Sequence, residues 1–305
     1  MFLQSGAMLA IFSYFLWGIT PLFYRLLPGA QPAELLSQRV LWSIPLLLFV
    51  RFFLKNRTRI KAVWEDKRSL LLCLLSTSVM AISWCTFTYS MTHDLVLEAS
   101  MGYFITPLCS ILLGVTFLHE RLKPAEKTAL IFVCAGVGYQ LYQYGSLPKL
   151  ALIMGSAFAL YGFIRKFIRY DLTTSLLIES LWLLPVAIAL YFWPAGSGTG
   201  TFSTADTFTR ICFILTAPVT LLPLLFFTAA VRSTTLTTIG LAQYLEPTIQ
   251  FLLAVFLFNE HFDSVKGVSF SLIWMGLLFC ILSLIRHHRK NTAKAGLGIR
   301  SRRSL

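Results

Sequence analysis

The sequence predicts an all-α integral membrane protein of ten transmembrane helices, arranged as two inverted repeats of five. Three observations carry this: a very apolar composition, a regular alternation of apolar stretches with short polar breaks, and a self-similarity at an offset of 140 residues. Of 305 residues, 56% are hydrophobic and 13% charged, against about a quarter charged in soluble proteins. A helix crossing the ~30 Å hydrocarbon core needs about 20 residues. The chain therefore has room for roughly ten crossings and little else.

In chain order the predicted spans are 7–27, 33–53, 69–91, 95–118, 125–144, 148–168, 173–193, 208–231, 237–258 and 263–285. The first lacks a basic leader and a small-residue cleavage site, so it reads as a spanning helix and not a removed signal. The third and fourth are divided only by Thr92, His93 and Asp94. The repeats cover 5–144 and 148–286, and residues 287–305 form a basic tail expected on the cytoplasmic side.

Orientation follows from Lys and Arg, which concentrate in cytoplasmic loops. With the N-terminus inside, 21 of the 26 basic residues, Arg165 and Arg232 among them, lie in the even-numbered breaks, at the span ends bordering them, or in the tail, whereas Arg25, Lys149, Arg210 and Lys266 flank the far side and Arg39 lies within a span. Both termini are thus expected in the cytoplasm. The net charge of +13 is explained by this topology, without nucleic acid as a partner. The six cysteines sit in apolar stretches with no CxxC pair, so they read as small hydrophobes and not as a disulfide framework or metal site.

The offset of 140 brings Trp42 onto Trp182, Pro45 onto Pro185, Pro107 onto Pro247 and Glu120 onto Glu260. Five spans per repeat is an odd number, so the halves cross the membrane in opposite senses. Inverted repeats recur in secondary transporters, whose substrate sites lie near the midplane between the halves.

Charged residues inside spans cost roughly 2.5–3.5 kcal/mol each and face a bundle interior or a wet cavity. Arg39 and Glu98 come within about 5 Å in depth at 1.5 Å of rise per residue, which makes them a candidate structural ion pair. Glu179 lies nearer the cytoplasmic face, and Glu246 lies near mid-span, just before Pro247. Proline lacks an N–H and kinks a helix, so Pro247 and its counterpart Pro107, after Thr106, are expected to line the pathway. Tyr103 and Tyr244 stand beside the two kinks as candidate pocket walls. Proton coupling through Glu246 is a hypothesis these placements raise. Glu120 and Glu260, at helix ends, are expected in topological or gating salt bridges.

The stretch 32–45 (PAELLSQRVLWSIP), Trp84, and above all 97–122 (LEASMGYFITPLCSILLGVTFLHERL) resemble the drug/metabolite transporter superfamily, in its EamA-type ten-helix branch and RarD subgroup. The resemblance implies a bacterial inner-membrane carrier with two EamA-type repeats and a central cavity, usually an exporter of metabolites or amphiphilic compounds. Arg39, Trp42, Glu98, Tyr103 and Pro107 match family-typical positions. Thr106 stands where the family usually has Asn before the proline, and Ser83 where Asn is frequent.

The pathway residues expected from both readings are Arg39, Trp42, Tyr103, Thr106, Pro107, Glu179, Tyr244, Glu246 and Pro247. The partners expected are a small-molecule substrate and membrane lipid, with no cofactor. No Walker-type phosphate loop occurs, so gradients and not ATP would supply the energy. An intramembrane enzyme and a non-transporting scaffold are the alternatives. The first lacks H-E-x-x-H or G-x-S-x-G chemistry, and the second leaves Glu246 without a purpose.

Overall fold

A computed structural model describes residues 6–54, 58–93, 95–145, 148–192, 201–258, 264–279 and 282, without the side chains of Ile60, Met91, Thr92, Val96–Ala99 and Thr201. Among the described residues every regular element is helical. The elements are α1 (Gly6–Gly18), α2 (Thr20–Tyr24), α3 (Pro32–Phe53), α4 (Ile60–Glu65), α5 (Lys67–Thr92), α6 (Val96–Phe117), α7 (Pro124–Tyr144), α8 (Lys149–Arg165) and α9 (Leu172–Phe192). They continue with α10 (Thr201–Thr204), α11 (Thr207–Ser233), α12 (Leu236–Gln243), α13 (Leu245–Leu252), a π turn at Leu253–Leu257, and α14 (Ser264–Phe279).

Helices thus lie in all ten predicted stretches, and the ends that are described are displaced by only a few residues. By length and apolarity, however, seven helices among the described residues qualify as membrane-crossing: Gly6–Tyr24, Pro32–Phe53, Lys67–Ser90, Ser100–Phe117, Leu172–Phe192, Thr207–Ser233 and Leu236–Leu257. Helix α8 has 17 residues, the described part of α14 is likewise short, and α7 is diluted by Glu126, Lys127 and its Gln and Tyr residues. The tail 287–305 and Glu260 lie outside the described residues.

Local chemistry explains the helix ends. Prolines at the first turn start α2, α3 and α7, where the missing N–H has no partner to lose. The side chains of Asp66, Asp206 and Thr235 cap α5, α11 and α12 by accepting from backbone N–H groups. Gly145, at φ +65°, ends α7 in the left-handed conformation that glycine adopts without strain. Two spans are broken. The first bends between Gly18 and Thr20, and the ninth breaks at Tyr244, three residues before Pro247. The proline ring clashes with the carbonyl four residues back, here Gln243, the last residue of α12.

The chain forms two compact units, Met1–Glu120 with Pro148–Glu260, and Arg121–Leu147 with His261–Leu305. In the second, α7 and α14 meet through glycines. A Cβ on Gly136 would stand 2.9 Å from the Ser269 carbonyl oxygen, and one on Gly276 would stand 2.9 Å from that of Ala129. Phe132 and Phe279 stack at 5.6 Å.

In the first unit, α6 and α5 pack on α8, α3 packs on α9, α11 on α1 and α3, α12 on α6, α5 on α9, and α1 on α12 and α13. The core where α1, α8 and α11 converge is aromatic: Tyr161 and Phe227 stack at 5.9 Å, with Tyr14, Trp17 and Phe158 against them. Large apolar side chains on the outer surfaces are left exposed, Phe52 by 74% and Phe256 by 77%. Lipid, not water, is the surrounding that makes such surfaces stable.

Candidate functional site

A cavity of about 30 Å³ opens within the first unit, walled by α3, α5, α8, α9 and α11. Its polar wall comprises Arg39, Ser43, Thr77, Tyr161, Glu179, Ser180 and Thr220, and the rest is apolar apart from the indole of Trp84. Room on this scale holds about two water molecules, whereas small-molecule pockets run to roughly 300–1,000 Å³.

The most buried charge of the wall is paired. Glu179 Oε2 accepts from Arg165 Nη1 and, at 3.2 Å, from the Tyr161 hydroxyl, and Oε1 accepts from Ser76 Oγ at 2.8 Å. Arg165 also donates to the Tyr161 hydroxyl at 2.9 Å and to Ser175 Oγ at 3.1 Å. Arg165 is fully buried and the Glu179 side chain is 7% exposed, so these bonds are what keep two charges tolerable in the bundle. Composition could not reveal this, because Arg165 was counted among the topology-setting residues of a cytoplasmic break. The sign that could have found it is the i, i+4 spacing from Tyr161, which puts both on one helix face.

Arg39 is held differently. Its guanidinium lies 3.7 Å over the Trp84 ring, a cation–π contact, with Tyr24 and Tyr103 as electrostatic neighbours. Its Nε is buried with no hydrogen-bond partner, as is Thr77 Oγ1 on the same cavity. The ion pair expected with Glu98 lies outside the described residues, since the Glu98 side chain is not among them.

Of the other predicted residues, Trp42 is not on the cavity wall, and its indole N–H donates to Gln38 Oε1 at 3.0 Å. Thr106 Oγ1 donates to the Gly102 carbonyl at 2.7 Å. Pro107 meets α12, where a Cβ on Gly240 would stand 2.7 Å from the Pro107 carbonyl oxygen. Tyr244 is fully buried and donates to the Phe104 carbonyl at 3.0 Å. Those two residues are themselves 140 positions apart, the offset of the sequence repeat.

Glu246 and Pro247 are buried at the start of α13. Among the described residues Glu246 accepts one long hydrogen bond, from Gln250 Nε2 at 3.4 Å, and makes no ion pair. Tyr103 and Tyr14 are within its electrostatic reach, and the Tyr14 hydroxyl is buried without a partner. The structure thus separates the predicted residues into a cavity wall (Arg39, Glu179), a helix crossing (Thr106, Pro107, Tyr244) and an acid at a break (Glu246, Pro247, with Tyr103).

Glu120 corrects an expectation. It forms no salt bridge among the described residues; instead its carboxylate caps α12, accepting from the backbone N–H groups of Leu236 at 2.7 Å and Thr237 at 2.9 Å. A carboxylate there is favoured by the partial positive charge of the helix N-terminus.

On the cytoplasmic side predicted by the charges, Asp171 accepts from Thr58 N and Oγ1, from Thr173 Oγ1 and from Thr174 N at 2.7–2.9 Å. Burial pushes this carboxyl up, but hydrogen bonds from Thr174, Thr173 and Thr58 outweigh it and hold it well below the usual carboxylate range.

Residues 4–140 match the model of the EamA-like transporter family. The chain is 36% identical to "Protein RarD" of Salmonella typhi, over 94% of this chain and 98% of the relative. It is 35% identical to "Protein RarD" of Escherichia coli K12, over 95% and 98%, and 32% identical to "Uncharacterized transporter YojE" of Bacillus subtilis, over 94% and 96%. A solved crystal structure, 13% identical, superposes with a TM-score of 0.66 over 91% of this chain and 97% of that one. At that identity the likeness concerns the fold alone.

Proposed function

As a member of the EamA-like transporter family, with RarD proteins among its relatives, the chain is a multi-pass membrane transporter, and we propose that it is a secondary carrier moving a small metabolite or amphiphilic compound by alternating access. The observation that carries this is the cavity. Its wall draws on α3 and α5 from the first half and on α8, α9 and α11 from the second. It is too small for a metabolite, so a substrate requires the halves to part around it.

The packing pattern supports two inverted repeats. Exchange α1 with α8, α3 with α9, α5 with α11, and α6 with α12–α13. The pair α6·α8 then becomes α12–α13·α1, α5·α8 becomes α11·α1, and α5·α9 becomes α11·α3, while α3·α9 and α6·α12 map onto themselves. Each of these pairs is packed. Ten crossings with both termini in the cytoplasm agree with this symmetry and with the distribution of Lys and Arg. The outward direction rests on the family resemblance.

Glu246 is the proposed proton carrier, because a buried acid outside any described ion pair changes the charge of the protein interior when it takes or releases a proton. The test is counterflow and gradient-driven uptake in liposomes of purified protein, with a panel of labelled amino acids, nucleobases and amphenicols. Saturable movement of one solute is expected. Glu246→Gln should abolish its dependence on a pH gradient while leaving counterflow, and unchanged pH-driven transport by this variant refutes the coupling.

A further inference from the structure

Arg39 and Thr77 lie on different helices, α3 and α5, yet both line the same cavity, and each holds a hydrogen-bonding atom without a partner. Arg39 Nε and Thr77 Oγ1 are both buried without a partner, and Thr77 as a whole is 4% exposed. Leaving such atoms unsatisfied costs on the order of 1–3 kcal/mol each, a cost that a ligand group can relieve.

The nearest candidates within the protein are already committed. Glu179, the acid on the cavity wall, is bound by Arg165, Tyr161 and Ser76. The neighbours of Arg39 are the Tyr24 hydroxyl, within hydrogen-bonding reach of the guanidinium, and the Tyr103 hydroxyl, and not a described carboxylate. Trp84 covers the face of the guanidinium. Stacking of this kind leaves the N–H edge for in-plane contacts, the geometry in which arginine takes a carboxylate with two parallel hydrogen bonds. Beside these groups the wall is apolar, with Val40, Met80, Leu183, Leu221 and Leu224.

We propose, building on the carrier reading above, that Arg39 and Thr77 form the recognition site for the carboxylate of an amphiphilic monocarboxylate, whose apolar body lies against Trp84 and the aliphatic wall. The guanidinium supplies the counter-charge and Thr77 Oγ1 donates a further hydrogen bond. A neutral solute of the same shape does not supply the counter-charge of the carboxylate and is disfavoured.

The test is equilibrium binding of tritiated 3-phenylpropionate to the full chain in lipid nanodiscs, competed by unlabelled acid and by 3-phenylpropionamide, its uncharged isostere. The acid should compete at least tenfold better than the amide. Arg39→Gln should erase that preference, Arg39→Lys should keep part of it, and Thr77→Val should weaken the acid several-fold. Equal competition by acid and amide in the wild-type protein overturns the site, as does the absence of saturable acid binding; neither result depends on a variant folding. Liposome counterflow of both compounds separates the two claims. Movement of neutral solutes with no preference for the acid keeps the carrier and overturns this site. Preferential acid binding without any counterflow keeps the site and overturns the carrier.

Discussion

Replacing Glu179 by Leu should be among the most damaging single changes in the protein, and adding Arg165→Met should undo most of the damage. With the carboxylate gone, the fully buried Arg165 retains, among the described residues, the Tyr161 hydroxyl and Ser175 Oγ. Ser76 loses little, because its hydroxyl also bonds to the Cys73 carbonyl at 3.0 Å. Removing one partner of a buried pair costs about 3–5 kcal/mol, whereas replacing both by apolar groups of similar volume is often close to neutral. At roughly 2–4 °C per kcal/mol for a unit of this size, Glu179→Leu should lower Tm by about 10 °C. The double variant should come within a few degrees of wild type. Tryptophan-fluorescence melting of wild type, both single variants and the double variant in one detergent gives the cycle. A single variant that melts with wild type, or a double variant no better than the worse single, refutes the reasoning.

Two further outcomes are expected. Gly240→Ala should destabilise the protein by about 1–3 kcal/mol, since its Cβ would stand 2.7 Å from the Pro107 carbonyl oxygen and 2.8 Å from Ile111 Cγ1. Gly138→Ala, with nothing within 4 Å of its new Cβ, should be neutral or slightly stabilising on helix propensity; thermal melts of the two variants check the contrast. The depressed carboxyl of Asp171 implies a contribution to stability that is present above the unfolded value near 3.9. It is lost as pH falls through the lower folded value, so the Tm gap between wild type and Asp171→Asn should be wide at pH 7 and narrow progressively below about pH 4.

The helices were legible because hydropathy reports which segments avoid water, and residues 32–53 or 172–192 are apolar over a full crossing. Helix partners were not, because a lipid-facing surface is as apolar as a protein-facing one, and no polar face tells which side of α3 meets α9. Charge proved an incomplete guide in the same way. Arg165 and Arg232 belong to the count that orients the chain. Yet Arg165 is wholly buried, and Arg232 donates to the Tyr170 carbonyl at 2.5 Å. Arg39 stood out in the sequence as a charge inside a span, while Trp84, the aromatic it rests on, sits 45 positions along the chain and could be matched to it only in three dimensions. The break at Tyr244 was foreshadowed by Pro247, since a proline disturbs the turn before it; the bend after Gly18 had only the Pro21 signal.

The Glu120 cap means that the first half of the chain finishes a helix belonging to the second. Its carboxylate reaches across 116 positions to bind the opening N–H groups of α12. Expressed as separate polypeptides cut between α7 and α8, the second fragment would hold an unfinished α12 until the first arrived. In the intact chain one carboxylate thus ties the end of α6 to the start of α12.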